Sequence, residues 1–271
     1  YGSNPRPYPP EEPRPAPTQA PARPETSAPL VPTHSPTCTG GFSAISNIRG
    51  EVFLFKDDQM WRLSSSGEPL YGYPMPASLF WDSAPSNPDA VFEKIDQTIV
   101  FVKDEQYWEF DGLRLRYGFP RNVSDFTQGD LSSMDAALTL PAAGKTYFFK
   151  GALCWRYDGL DQVMEPGYPR EIVEEWTGGP PSVDSAFVFN GVIYLVKGHR
   201  YWQFVLGDER ATEMEPSYLT VDFLGCPMES VPTVDSGDTD GQSSAAATSL
   251  SGFRLYVLST LAALFLWRSS P

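Results

Sequence analysis

A lysine and a tryptophan each recur at a spacing of 47 residues, four times without drift: Lys56, Lys103, Lys150 and Lys197, and Trp61, Trp108, Trp155 and Trp202. A fixed period of that size restricts the chain to a repeat architecture, in which each unit hides its apolar faces against the next. The clearest copy reads Phe53-Leu54-Phe55-Lys56-Asp57-Asp58-Gln59-Met60-Trp61-Arg62. Every copy sets an apolar, β-branched and aromatic run before a polar or glycine-containing turn and a second aromatic run after it, the pattern of a β-hairpin. Gly151 and Gly198 stand where such a turn favours positive φ. Another short strand opens upstream of each hairpin, at Ser43-Ala44-Ile45, Asp89-Ala90-Val91, Asp135-Ala136-Ala137 and Asp184-Ser185-Ala186. Three strands and a variable outer segment make a unit of about four. Strands apolar on both faces must be covered on both, so the pattern predicts an all-β, four-bladed propeller.

In the first blade the pattern places strands near 44–48, 51–55 and 60–63. The outer segment carries Tyr71-Gly72-Tyr73-Pro74, which returns as Tyr117-Gly118-Phe119-Pro120 and Pro166-Gly167-Tyr168-Pro169 and degrades to Pro216-Ser217-Tyr218-Leu219. A short helical segment is expected after it, ending in Trp81 or Trp176 as a packing residue of the outer rim. The four periodic tryptophans are expected in the core rather than stacked on a ligand.

The ends of the chain have a different composition. Residues 1–37 hold 12 prolines, with three arginines balancing three glutamates; such a segment is expected to be a semi-rigid linker. Tyr1-Gly2 has neither signal peptide nor initiating methionine, so the chain is read as part of a longer protein. The propeller is assigned to residues 38–226, where 15 Lys+Arg face 27 Asp+Glu, a net charge of −12. That balance argues against nucleic acid or an anionic lipid surface as the main partner.

Of the three cysteines, Cys38 precedes the first blade and Cys226 follows the last, so in a closed ring they meet and their pairing would clasp it in an oxidising compartment. Cys154 stands where the other copies have Met60, Tyr107 and Tyr201 and is expected to be a buried, inert thiol. The residues that open the blades, Ser43, Asp89, Asp135 and Asp184, allow two readings. Their backbone carbonyls could converge on the axis and hold a hard cation such as calcium, or the aspartates could cap turns.

These residues together resemble the hemopexin-like domain of matrix metalloproteinases: the four phased repeats, the flanking Cys38 and Cys226, the stretch Phe42-Ser43-Ala44-Ile45-Ser46-Asn47-Ile48-Arg49-Gly50-Glu51, and the openings Asp89-Ala90 and Asp135-Ala136. The resemblance covers 38–226, and Tyr1-Gly2 with its proline-rich sequel resembles the junction that follows such a protease's catalytic domain. It implies a disulfide-closed propeller with an axial calcium on the carbonyls of Ser43, Asp89, Asp135 and Asp184. It also implies a non-catalytic exosite for extracellular matrix proteins, protease inhibitors, cell-surface proteins or a second copy of the chain. The sequence departs from the family at Ser43, at Ser185 and at Pro216-Ser217-Tyr218-Leu219.

The family's catalytic zinc needs a His-Glu-x-x-His helix, and the only histidines are His34 and His199; the chain is expected to be catalytically silent, with zinc confined to a catalytic domain it does not contain. The acidic pairs Glu174-Glu175 and Asp57-Asp58 are expected to be solvated surface. A carrier or adhesion protein of the hemopexin or vitronectin kind is the alternative, but a haem site would lack histidine ligands and Arg49-Gly50-Glu51 is not Arg-Gly-Asp.

Asn122-Val123-Ser124 is the only Asn-x-Ser/Thr site and is expected to carry a glycan if the protein is secreted. Beyond Cys226 a polar stem, 227–252, leads into an apolar tail, 253–271. Small residues at Ser243, Ser244 and Ala245, a spacer and the tail match a glycosylphosphatidylinositol signal, which would leave the mature chain lipid-anchored at the cell surface. The competing reading is a marginal transmembrane helix or an unprocessed tail; the stretch from Phe253 to Trp267 is shorter than the roughly 20 residues a span needs.

Overall fold

In the computed structural model, which describes residues 37–205 and 216–231, the strands send alternate side chains to opposite faces, as pleated backbone must. In Glu51–Lys56, Val52 and Leu54 enter one apolar cluster while Phe53 and Phe55 enter another. The same split occurs in Ile99–Lys103, where Val100 and Val102 face one way and Ile99 and Phe101 the other. A sheet with two apolar faces requires a neighbour on each side, and the four sheets satisfy one another in a ring.

Each sheet is antiparallel and runs in sequence order from a first strand: Ala44–Ile48, Ala90–Glu93, Ala136–Leu140 and Ser185–Phe189. The first strand of blade one packs against those of blades two and four, and the first strand of blade three packs against the same two, which closes the ring. The repeated hairpins follow, Glu51–Lys56 with Gln59–Arg62, Ile99–Lys103 with Gln106–Asp111, Lys145–Lys150 with Leu153–Asp158, and Val192–Lys197 with Arg200–Val205. The register is identical in all four: Trp61 lies opposite Leu54, Trp108 opposite Phe101, Trp155 opposite Phe148 and Trp202 opposite Leu195. The outer position is filled by two-residue strands, one in blade one, two pieces in blades two and three, and one in blade four among the described residues. Four apolar clusters, each built from two adjacent sheets, make the core.

Gly151 and Gly198 have φ of 57° and 60° at the hairpin turns, where blades one and two place Asp57 and Asp104 in the same left-handed region. Short helical turns follow the outer strands at Ala77–Leu79, Val123–Phe126, Ile172–Glu175 and Leu219–Leu224. Of the periodic tryptophans, Trp61 and Trp155 are buried in the clusters between blades four and one and between blades two and three, and Trp108 and Trp202 are partly buried against the other two clusters. The thiol of Cys154 is buried and unpaired by any disulfide, and desolvation, with the nearby Glu175 carboxylate, pushes it up to about 12.

Two expectations are corrected. Trp81 and Trp176 are packing residues as expected, but of the inter-blade cores rather than the outer rim, and both are 2% exposed. Each follows a short helical turn and joins two sheets, Trp81 touching Phe53 and Phe101 and Trp176 touching Tyr147 and Phe204.

Glu175 is not solvated surface either. It is buried, and its carboxylate accepts hydrogen bonds from the Tyr168 hydroxyl, from Tyr147 Oη at 3.3 Å and from Arg170 Nη1 at 3.0 Å, with Arg156 Nη1 at 3.6 Å. Its neighbour Glu174 is exposed, because consecutive residues of a helical turn face different ways. Glu175→Ala removes the shared acceptor of two phenols and of Arg170, while Arg156 keeps Glu165 at 2.5 Å. It should destabilise the chain by about 2–3 kcal/mol in urea unfolding, against under about 0.5 kcal/mol for Glu174→Ala.

Candidate functional site

The four first strands define the axis. Their downstream halves, through residues such as Asn47, Glu93, Leu138 and Phe187, line one shared cavity of about 410 Å³. The strands therefore run in the same sense, and the residues before them, Ser43, Asp89, Asp135 and Asp184, gather at the opposite end. Each of these four donates its amide into the hairpin behind it: Ser43 N to Phe55 O at 2.9 Å, Asp89 N to Val102 O at 2.8 Å, Asp135 N to Phe149 O at 2.7 Å and Asp184 N to Val196 O at 2.8 Å. Their carbonyl oxygens meet no hydrogen-bond donor among the described residues.

The carboxylates of the three aspartates do something else. Asp89 Oδ1 accepts from Lys103 Nζ at 2.7 Å and Oδ2 from Asp104 N at 2.6 Å. Asp135 takes Lys150 Nζ at 2.6 Å and Gly151 N at 2.8 Å, and Asp184 takes Lys197 Nζ at 2.6 Å and Gly198 N at 2.8 Å. Each aspartate thus caps the turn of its own hairpin and pairs with the periodic lysine, and the pairing with Asp89 raises the pKa of Lys103. The partner stands 13 to 15 residues upstream of the lysine in each of these blades. Blade one lacks the carboxylate. There Lys56 Nζ turns to Thr39 Oγ1 at 2.8 Å and Gly40 O at 2.7 Å, and Asn87 Oδ1 caps Asp57 N at 3.1 Å. The lysine–aspartate coupling was visible in the sequence as two columns of one repeat, but only the fold shows them touching.

The ring is fastened where its ends meet. Cys38 and Cys226 form a disulfide across 188 residues, with Cα atoms 5.6 Å apart. Both are buried in the cluster between blades four and one. Across the same seam Asn47 Nδ2 donates to Val188 O at 2.9 Å and Ser185 Oγ to Phe42 O at 3.4 Å. His199 lies in the blade-four hairpin turn beside Gly40, and desolvation, helped by the charge of Lys56, lowers its pKa.

Asn122 is exposed in the outermost strand Arg121–Asn122, opposite Gln106, and its side chain makes no capping bond to the helical turn that follows. The linker through Pro36, the anchor candidates Ser243, Ser244 and Ala245, and the apolar tail lie outside the described residues. Among the described residues, no helix is long and apolar enough to cross a membrane, and no three His, Cys, Asp or Glu side chains gather to hold a metal ion.

Comparison with known proteins gives this geometry its family context. Residues 42–86, 88–129 and 134–181 match the family model Hemopexin. The chain is 35% identical over 188 residues to stromelysin-1 of Mus musculus, covering 68% of this chain and 39% of that protein. It is 35% identical over 176 residues to neutrophil collagenase of Homo sapiens (64% and 37%) and 37% identical over 172 residues to interstitial collagenase of Bos taurus (60% and 35%). The chain thus spans under two-fifths of the length of these relatives. Among solved structures, a hemopexin-fold protein from cow pea superposes with a TM-score of 0.58 at 16% identity, covering 68% of this chain and 95% of that one. A plant lectin from Cicer arietinum gives 0.59 at 19%, covering 68% and 96%. At such identities they attest the fold alone. The fourth blade, where the turn has degraded to Pro216-Ser217-Tyr218-Leu219, is outside the matched repeats yet pairs its strands in the same register as the others. The propeller is a hemopexin-like domain, similar in sequence to those carried by matrix metalloproteinases.

Proposed function

We propose that this propeller is the exosite module of an extracellular, zinc-dependent matrix metalloproteinase, binding macromolecular substrates, inhibitors or cell-surface partners while a separate domain performs hydrolysis. The observation that carries the reading is the match of the hemopexin repeats to stromelysin and collagenase relatives more than twice as long as the matched region. The blade-opening aspartates and the periodic lysines agree with a structural role, since they are engaged in turn caps and ion pairs. The test compares the parent protease with and without residues 38–226. Removal should lower kcat/KM on a macromolecular substrate by about tenfold or more, because the second contact is lost, and leave cleavage of a short peptide unchanged. An equal effect on both substrates, or none on either, would reject the module reading.

An axial calcium fits the donor set at Ser43, Asp89, Asp135 and Asp184. Hard cations favour oxygen ligands, the four carbonyls have no other partner among the described residues, and the aspartate carboxylates are held by lysines. Bound there, calcium would add stability in proportion to its occupancy. Adding a chelator should lower the unfolding temperature by about 5–10 °C, reversed by excess calcium; an unchanged temperature would count against the site.

The mature protein is placed at the outer cell surface by a glycosylphosphatidylinositol anchor attached at Ser243, Ser244 or Ala245, with a glycan on Asn122. Phosphatidylinositol-specific phospholipase C should release the propeller from expressing cells, and N-glycosidase should shift its mobility on a gel. Retention on the membrane with an intact C-terminal tail would exclude the anchor, and unaltered mobility the glycan.

A further inference from the structure

We propose that a cavity between the second and third blades binds a basic side chain, arginine or lysine, of a polypeptide partner; this rests on the recognition role proposed above and gives it a contact chemistry. The cavity has a volume of about 410 Å³ and is walled by the rings of Phe92, Tyr107, Phe126 and Tyr157. Phe126 is at their centre, with ring centroids 6.3 Å from Phe92, 5.7 Å from Tyr107 and 5.0 Å from Tyr157, all tilted rather than stacked. At these separations the rings pack directly on one another, so a cation would meet only the aromatic surface that borders the cavity.

The polar groups supply the second argument. Tyr107 and Tyr157 are 6% and 8% exposed, and neither hydroxyl has a hydrogen-bond partner among the described residues. The rings are buried, but the two hydroxyl oxygens are not sealed from solvent, so each can exchange a water for a ligand that enters the cavity. Burial raises the pKa of both, Tyr107 to about 12, so each hydroxyl stays neutral and can accept a hydrogen bond from a cation.

Charge decides the sign of the ligand. The cavity's only lysine, Lys94, is bonded to Glu109, whose second oxygen accepts Arg116 Nη1 at 3.0 Å. Asp96 and Asp125 also line the cavity, and neither has an ion pair among the described residues. Lys94 itself holds its ammonium 4.7 Å from the Phe126 ring centroid, so this ring already takes a cation on its face. An arginine entering from solvent would meet the Asp125 carboxylate and two phenol oxygens with its planar fork and stack on the aromatic wall. Its alkyl stem would lie along Leu160, which is 77% exposed at the rim. The excess of acidic over basic residues on the propeller would steer such a partner inward.

The test is a ¹H–¹⁵N NMR titration of the 271-residue chain with N-acetyl-arginine amide, N-acetyl-lysine amide and N-acetyl-glutamate amide. The basic ligands should produce saturable shifts at the amides of Asp125, Gln128, Gly159 and Leu160, and the glutamate ligand none. Asp125→Asn should weaken arginine binding about tenfold, the loss of one charge-assisted contact, and Tyr157→Phe should weaken it while leaving the unfolding temperature within a few degrees. A basic peptide that binds more tightly than the single residue identifies a polypeptide as the source of the cation; equal affinity would overturn that assignment in favour of a small amine. Shifts with the glutamate ligand, no shifts at all, or full affinity in Asp125→Asn would overturn the proposal. Because the titration needs neither protease nor substrate, its failure leaves the exosite reading to be judged by the cleavage comparison alone.

Discussion

Replacing Cys226 with serine lowers the unfolding temperature of the chain by about 10–20 °C. The disulfide closes a loop of 188 residues, and the chain-entropy model gives a loop of that length about 5 kcal/mol of stabilisation. The ring has other fastenings at this seam. The first strands Ala44–Ile48 and Ser185–Phe189 pack together, and the shared apolar cluster brings Phe42, Ile45 and Trp61 against Phe187, Tyr194 and Leu224. The variant should therefore fold with a lowered stability rather than open into a chain of separate blades. Scanning calorimetry of the variant beside Cys154→Ala separates the clasp from the loss of a buried thiol, since Cys154 forms no disulfide. A melting temperature within two or three degrees of the parent would show that the clasp adds little to the native ring.

Truncation of Trp81 to alanine should cost about 3–5 kcal/mol, the range for removing a buried aromatic side chain from a packed core. Its ring centroid lies 5.6 Å from that of Phe53, 6.1 Å from Phe55 and 5.3 Å from Phe101, so one indole joins blade one to blade two. Its Nε1 donates to Gly112 O at 3.1 Å, and the alanine would leave that carbonyl without its partner. Tyr71, in the preceding turn, is fully exposed and is the natural control; Tyr71→Ala should stay within about 0.5 kcal/mol. Urea unfolding of the two variants decides the matter. A cost under about 1 kcal/mol for Trp81→Ala would return this residue to the rim.

The corrected positions share a cause. Trp81 and Trp176 follow turns rich in glycine and proline, and their local sequence contains no β-strand periodicity to place them inside. They are buried because each joins two sheets, a contact between segments far apart in the repeat. Glu175 was misjudged for a similar reason. An acidic pair on a short turn is usually solvated, and the partners that make its burial tolerable, Tyr147, Tyr168, Arg156 and Arg170, come from three strands and a turn that meet only in the folded blade.

The sequence alone determined the number of blades, the strand order within each and the position of the hairpin turns. Those follow from a 47-residue period, from side-chain alternation and from turn residues, all of which are local. It also placed Cys38 and Cys226 at the two ends of the ring. Only the tertiary structure decided which groups the repeats bring together: that the opening aspartates hold the periodic lysines and cap the turns, that Lys56 is left to bond Thr39 and Gly40, and that four aromatic rings from two blades enclose a cavity. The reason is physical. Strand identity is set by interactions between residues near in sequence, whereas a binding cavity is set by the gap left between neighbouring sheets, and that gap depends on side chains from both at once.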